Sequence, residues 1–214
     1  MKYELIVFDM DGTILDTLED LKNSMNHTLR LHSMPERTLD EIRSFVGNGI
    51  RKLIERAVVN GTPNEKIEAI HKDFMKHYEV HCADFTKPYD GINDLIQELR
   101  NHGYKTAVVS NKAHDAVLGL CDQYFPSLFD LALGEKPEIA KKPAPDMVNL
   151  ALEKLQIPRE EAVYIGDSDV DVATARNSNL DMIAVDWGFR TREFLLEQGA
   201  ETIVSKPEEI LELV

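Results

Sequence analysis

Short apolar runs alternate with amphipathic stretches along most of this chain. Leu5-Ile6-Val7-Phe8, Thr106-Ala107-Val108-Val109, Ala162-Val163-Tyr164-Ile165 and Met182-Ile183-Ala184-Val185 each end at a polar residue or a glycine. Such bounded runs predict buried strands. Leu128 to Leu133 predicts a further strand, and Thr202-Ile203-Val204 a short last one. Between them, Ile92, Leu95, Ile96 and Leu99 recur at helical spacing before a stop at His102-Gly103. Met147, Leu150, Ala151 and Leu155 do the same ahead of Pro158. Strands alternating with helices predict an α/β fold, a parallel sheet flanked by helices and joined by right-handed crossovers.

The alternation fails after the first strand. No strand pattern follows Thr13 until about residue 104, and residues 17–83 read as helices broken at Met34-Pro35, Gly47-Asn48-Gly49 and Gly61-Thr62-Pro63. The pattern predicts an all-helical module, residues 16–85, inserted into a core made of residues 1–15 and 86–214. Its hinges fall at Ile14 to Thr17 and at Phe85 to Gly91, the second of which has turn composition. An insertion that leaves the chain just behind the first strand is expected over the carboxyl edge of the sheet, as a lid that keeps water from the chemistry.

Composition narrows the class of partner. The chain has 214 residues, 43% hydrophobic and 29% charged, as expected of a globular protein with a real core. A net charge of −14 argues against nucleic acid or an anionic membrane as the main partner. Met1-Lys2-Tyr3-Glu4 runs straight into the first strand without a long apolar segment, so neither a signal peptide nor a membrane span is expected. Cys82 and Cys121 are isolated from one another and fit reduced thiols in a cytoplasm.

The candidate chemistry sits at the strand ends. Asp9-Met10-Asp11-Gly12-Thr13 follows the first run, Ser110-Asn111-Lys112 the second, and Gly166-Asp167-Ser168-Asp169-Val170-Asp171 the run at 162–165. Lys142, in Lys141-Lys142-Pro143-Ala144-Pro145-Asp146, precedes a helix. In open α/β sheets ligands bind at the carboxyl edge, where these segments converge. Adjacent carboxylates repel unless a cation or a shared proton offsets the cost. A hard metal with a phosphate satisfies the first triplet, and so does an Asx turn that merely ends a strand. Ser110 and Asn111 offer a hydroxyl and an amide suited to phosphate oxygens.

Taken together, in this order and spacing, the four segments resemble the haloacid dehalogenase superfamily across essentially the whole chain. The resemblance implies a Rossmann-like parallel sheet flanked by helices with an inserted all-helical cap. It implies that Asp9 is a nucleophile forming an aspartyl-phosphate, while Asp11 protonates the leaving oxygen and then deprotonates water. Mg²⁺ is the expected cofactor, held by Asp9, Asp167 and the backbone carbonyl of Asp11, with Asp171 behind it orienting a metal-bound water or Lys142. Lys142 would offset charge between phosphate and nucleophile. Thr13, Ser110 and Asn111, with backbone amides near Asp11 and Gly12, would hold the phosphate. Asp169 is expected to face solvent. Dehalogenating members lack an acid two residues after the nucleophile, so Asp11 favours phosphoryl transfer. Phosphonate-cleaving members use a cap lysine; Lys22 and Lys52 are available, though their flanking residues do not suggest that role.

Substrate choice is expected to lie in the cap. Phe45-Val46-Gly47-Asn48-Gly49-Ile50-Arg51-Lys52-Leu53 is similar to the cap segment of phosphoglycolate phosphatases, and Trp187-Gly188-Phe189-Arg190 to another segment of that group. Asn48 and Arg51 are the candidate contacts to a small carboxylate beside a Gly-x-Gly turn. A plain helix–helix turn with an exposed Arg accounts for the same residues, and Trp187 equally suits packing. The expected substrate is a small phosphorylated metabolite, foremost 2-phosphoglycolate. Pyrophosphate, a sugar phosphate, or a phosphomutase reaction of the β-phosphoglucomutase type are the rivals, and a phosphate sensor is the non-enzymatic one. A monomer or homodimer is expected. His77 and His81 stand four apart on a predicted helix, a spacing that can bind metal, but without an evident third ligand they read as surface histidines. Lys136-Pro137 reads as loop.

Overall fold

A computed structural model describes residues 2–214. In chain order the elements are β1 (Leu5–Phe8), β2 (Leu15–Asp16), α1 (Leu18–Leu31), α2 (Leu39–Phe45), α3 (Ile50–Ala57), α4 (Asn64–His81), β3 (Lys87–Pro88), α5 (Ile92–Asn101) and β4 (Lys105–Ala113). They continue with α6 (His114–Tyr124), β5 (Leu131–Glu135), α7 (Asp146–Leu155), β6 (Ala162–Gly166), α8 (Asp169–Ser178), β7 (Asp181–Val185), α9 (Arg192–Glu197), β8 (Ile203–Val204) and α10 (Glu208–Leu211). Two compact units result, one of Met1–Leu15 with Pro88–Val214, the other of Asp16–Lys87.

The first unit is built on a six-stranded sheet in the order β5-β4-β1-β6-β7-β8, with every neighbouring pair parallel. Covered on both faces, a central parallel strand has no polar side, which is why β1 is apolar throughout and wholly buried. One face of the sheet, carrying Leu5, Val7, Ala107, Val109 and Tyr164, packs on Met147, Val148 and Ala151 of α7. Phe8 lies level with Val108 and Ile165, so the residues that follow these three emerge at one edge.

Two strands differ from the sequence expectation. β5 starts at Leu131 rather than Leu128, because Leu128 closes a turn: its N–H donates to the Phe125 carbonyl (3.0 Å) and its own carbonyl accepts from Thr106 Oγ1 (2.5 Å). β4 runs on to Ala113, with a register shift between Val109 and Ala113. Irregularities of this kind re-aim side chains at a sheet edge, here those of Ser110, Asn111 and Lys112.

The second unit contains α1 to α4. α1 packs on α4 and α2, and α3 on α2 and α4; Met25, Leu29, Ile42, Ile54, Ile70 and Phe74 are its buried centre. α2 begins with a capping box, Thr38 Oγ1 accepting from Glu41 N–H while the Glu41 carboxylate accepts from Thr38 N–H. Asp20, buried in the first turn of α1, accepts from Phe85 N–H (3.0 Å), Thr86 N–H (2.7 Å) and Thr86 Oγ1 (2.8 Å). These bonds hold Phe85 and Thr86 to α1, so the returning chain leaves this unit only after Lys87. Among the described residues no helix is long and apolar enough to cross a membrane.

Replacing Asp20 by Ala strands one buried N–H donor, that of Thr86, and one partly buried, that of Phe85, and a buried orphan costs about 1–3 kcal/mol. Asp20→Ala is therefore expected to lower the urea unfolding free energy of the helical unit by about 2–4 kcal/mol, whereas Asp20→Asn, which keeps one acceptor oxygen, loses less. Equal stability of wild type and Asp20→Ala would disprove the anchoring role.

Candidate active site

Asp9 continues β1, its N–H donating to the Ile165 carbonyl at 2.8 Å. The chain then turns sharply: the N–H groups of Thr13, Ile14 and Leu15 all donate to the Met10 carbonyl, at 3.2, 3.0 and 3.0 Å. Gly12 adopts φ +88°, and a Cβ there would collide with the Asp167 carboxylate. The glycine of the Asp-x-Asp-Gly segment thus lets the β1 loop close on the acid at the end of β6. Gly188 comes equally near from the other side, where a Cβ would meet the Gly12 carbonyl and Asp167.

Three buried acids converge here. Ligand oxygens of Asp9, Asp167 and Asp171 lie within 4.8 Å of one another. The Lys142 ammonium, 3% exposed, stands 2.7 Å from Asp9 Oδ1 and 2.8 Å from Asp171 Oδ1, and also donates to the Tyr164 hydroxyl (2.9 Å). Tyr164 in turn donates to Asp171 Oδ1 at 2.9 Å. The other oxygen of Asp171 accepts from Ser168 N–H (3.1 Å) and Ser168 Oγ (2.5 Å). With both oxygens engaged, Asp171 is built to hold Lys142. Asp167 accepts from Thr13 Oγ1 (2.9 Å) and Phe189 N–H (2.8 Å), one bond on each oxygen, which fixes the carboxylate plane.

The electrostatics ask for a cation. Burial and the Asp171 charge raise the Asp9 carboxyl well above the usual range, against the pull of Lys142. Burial and Asp171 push Asp167 up to about 7, against the bonds from Phe189 and Thr13. Burial opposes the Lys142 charge, but Asp171 and Asp9 outweigh it and hold the ammonium well above its ordinary value. Three carboxylates against one ammonium leave a formal excess of two negative charges (3 − 1 = 2) in the interior. A divalent cation matches that excess, and an all-oxygen donor set is what a hard ion such as Mg²⁺ prefers. Asp9 and Asp167, whose oxygens are not saturated by side-chain partners, are the residues able to ligate it.

The residues expected to meet the substrate already make the following bonds. Thr13 Oγ1 is spent on Asp167. The Asn111 amide nitrogen donates to the Lys142 carbonyl (3.0 Å) and so braces the loop that carries the lysine. Ser110 Oγ accepts from Lys112 N–H (3.2 Å). Asp169 is partly exposed beside Arg190, 3.4 Å from its Nε. In the helical unit, Asn48 Oδ1 accepts from Arg56 (2.7 Å), and the Arg51 guanidinium is bound by Glu55, Glu68 and Asn64. His77 stacks between His27 and His81, ring centroids 4.0 and 4.2 Å apart; among the described residues the three-acid group is the one cluster of ligating side chains placed to hold a metal.

From the sequence, Lys112 and Tyr164 have no assigned role, and Trp187 reads only as a family likeness or as packing. Lys112, buried, forms an ion pair with Asp11 Oδ1 at 2.9 Å. Tyr164 looked like one more residue of an apolar strand. Trp187 Nε1 donates to the Thr13 carbonyl (3.0 Å), so the Trp187-Gly188-Phe189 segment clamps the Asp9–Thr13 turn and Asp167 together. A tyrosine inside an otherwise aliphatic run was the available signal for Tyr164, since a buried phenol needs a partner.

Comparison with known proteins agrees with this geometry. The haloacid dehalogenase-like hydrolase family profile matches residues 6–185. A phosphoglycolate phosphatase of Aquifex aeolicus is 30% identical over 211 residues, 98% of this chain and 96% of that protein. A protein of Caldanaerobacter subterraneus subsp. tengcongensis, provisionally named pyrophosphatase PpaX, is 29% identical over 100% of this chain and 96% of its own. The crystal structure of a protein from Lactobacillus delbrueckii subsp. bulgaricus, provisionally named phosphoglycolate phosphatase, superposes with a TM-score of 0.96 at 39% identity, covering 100% of this chain and 98% of that one.

The Asp167 shift carries a sign that can be tested without metal. A carboxyl near 3.8 when unfolded and about 7 when folded keeps a proton in the native state that the unfolded chain has lost. Its contribution to stability therefore falls as pH rises from about 4 to 7 and then levels off. In chelator, Asp167→Asn, a mimic of the protonated acid, is expected to melt above wild type at pH 8, the gap closing towards pH 4. A variant less stable than wild type at pH 8 would contradict the buried, uncompensated charge.

Proposed function

This chain is a phosphatase of the haloacid dehalogenase-like hydrolase family, and on that premise we propose that it uses Mg²⁺ to hydrolyse a small phosphate monoester, foremost 2-phosphoglycolate, with Asp9 carrying the phosphoryl group. The observation that carries the reading is the buried Lys142 ammonium bonded to Asp9 and Asp171, two acids whose oxygens lie within 4.8 Å of one of Asp167. It supplies a nucleophile, a fixed positive charge and a cation site in one place.

The residues divide the work as follows. Asp9 attacks phosphorus, and the ester P–O bond breaks as the Asp9–phosphorus bond forms, splitting one difficult displacement into two. Asp11 gives its proton to the departing alkoxide. Water then attacks the same phosphorus, Asp11 takes a proton from it, and inorganic phosphate leaves with Asp9 restored as a carboxylate. Lys142 favours the charged form of Asp9 and lowers the repulsion between it and the incoming phosphate. Mg²⁺, held by Asp9, Asp167 and the Asp11 carbonyl, would neutralise phosphate oxygens and bring charge stabilisation to the transferring group. Asp171, Tyr164 and Ser168 keep Lys142 in place, and Asn111 holds its loop.

Support for 2-phosphoglycolate comes from the names of relatives and from the Gly47-Asn48-Gly49 turn that opens α3, where both glycines have positive φ. Backbone N–H groups at such a helix start suit a carboxylate. Asn48 is the side chain we assign to that carboxylate; Arg51, neutralised by Glu55 and Glu68 and bonded to Asn64, ties α3 to α4. Pyrophosphate is the second reading, favoured by the name of the C. subterraneus relative.

A phosphate-release screen with Mg²⁺ over phosphoglycolate, pyrophosphate, sugar phosphates and nucleoside monophosphates separates these. Phosphoglycolate is expected to give the highest kcat/KM, without any sugar bisphosphate primer; a dominant rate on pyrophosphate would replace the substrate assignment, and no release from any compound would remove the enzymatic one. Asp9→Asn is expected to lose at least about 1,000-fold in kcat while keeping its circular dichroism spectrum. Activity within tenfold of wild type would eliminate Asp9 as nucleophile. Calcium is expected to inhibit, because its looser coordination places ligands differently from Mg²⁺.

A further inference from the structure

The mechanism above leaves one buried ammonium without a duty. The Lys112 side chain is 2% exposed, and its Nζ lies 2.9 Å from Asp11 Oδ1. We infer that Lys112 is the positioning residue for Asp11: it grips one carboxylate oxygen and so holds the other where the leaving oxygen receives its proton. The inference rests on the phosphatase reading and extends it to a residue given no part in the chemistry so far.

Three observations point this way. Burial of an ammonium is costly unless it is paired, and the two buried lysines divide the acids between them, Lys142 with Asp9 and Asp171, Lys112 with Asp11. The Lys112–Asp11 pair is also asymmetric: the Asp11 side chain is 23% exposed against 2% for the lysine. A pair that served packing alone would bury both ends, whereas here the ammonium is fixed inside and the carboxylate stays reachable. Finally, the lysine rises from a rigid base. It follows the register shift of β4, its N–H is bonded to Ser110 Oγ (3.2 Å), and neighbouring Asn111 is tied to the Lys142 carbonyl. Asp11, by contrast, sits on the turn after β1 with a short side chain free to choose among rotamers. Holding a proton donor within hydrogen-bond reach of its target is where such a tether acts on rate.

The test exploits the leaving group. An alkoxide needs the Asp11 proton to depart, but 4-nitrophenolate does not, and kcat/KM reports the step in which the ester bond breaks. Lys112→Met and Lys112→Gln are compared with wild type on 2-phosphoglycolate (or the best alkyl phosphate of the screen) and on 4-nitrophenyl phosphate. The expected result is a loss in kcat/KM of about 30-fold or more on the alkyl ester and about threefold or less on the aryl ester, with partial rescue by Lys112→Arg. Losses on the two esters within about threefold of each other, or no loss, would overturn the inference, since a lysine that binds phosphate or merely supports the fold moves both alike. Should either single variant fail to fold, Asp11→Asn/Lys112→Gln removes both charges. It is expected to match Asp11→Asn within about twofold on both esters, and a further loss on both would count against the inference. Wild type inactive on every ester would sink the phosphatase reading and this inference with it; wild type active on both with uniform loss in the Lys112 variants sinks the inference alone.

Discussion

Excess negative charge buried at the carboxyl edge of a parallel sheet is the constraint from which the rest of this structure follows. Asp9, Asp167 and Asp171 share one small volume with a single ammonium, that of Lys142. Charge of that kind persists in a folded protein only where bonds fix it and a counter-ion offsets it. The surroundings are built to do the first. Thr13 and the Phe189 N–H hold Asp167, Ser168 and Tyr164 hold Asp171, and two glycines let the loops close around the carboxylates. The second is what a divalent cation would supply. The cost to the apo protein is the reason the fold invests so many hydrogen bonds in these few side chains.

That investment extends to residues expected to touch the phosphate. Thr13 and Asn111 have the chemistry of phosphate binders, yet the Thr13 hydroxyl is bonded to Asp167 and the Asn111 amide nitrogen to the Lys142 carbonyl. Both hold the groups that would meet the substrate. Such a supporting layer sets whether reacting atoms are placed to within a fraction of an ångström, which is where rate is gained or lost.

The large features were legible because they are periodic or punctuated. β1 is an unbroken apolar run because both of its faces are covered, so its end, and with it Asp9, could be placed from residue order alone. The helix breaks at Pro35, at Gly47 and Gly49, and at Pro63 follow from backbone restrictions that any sequence carries. Convergence of Asp9, Asp167 and Lys142 was readable from strand ends in a parallel sheet. What escaped depends on side-chain direction. The register shift after Val109 re-aims Lys112, and no periodicity announces it. The Asp20 bonds to Phe85 and Thr86 join positions 65 and 66 residues apart, a separation at which local pattern is silent. β5 began late for a similar reason, since the bond between Thr106 and Leu128 is a tertiary one.

Net charge poses a last question, how a chain carrying −14 receives an anion. Local positive charge has to come from somewhere, and the two buried lysines do not offer it in surplus. Lys142 is matched by Asp9 and Asp171, and Lys112 by Asp11. Arg190 stands beside Asp169, and Arg51 in the helical unit is neutralised by Glu55 and Glu68. Four acids against two ammoniums leave this edge a formal excess of negative charge (4 − 2 = 2) that a divalent ion would match. The same arithmetic limits how the site can fail: loss of either lysine adds one more unmatched negative charge to that excess.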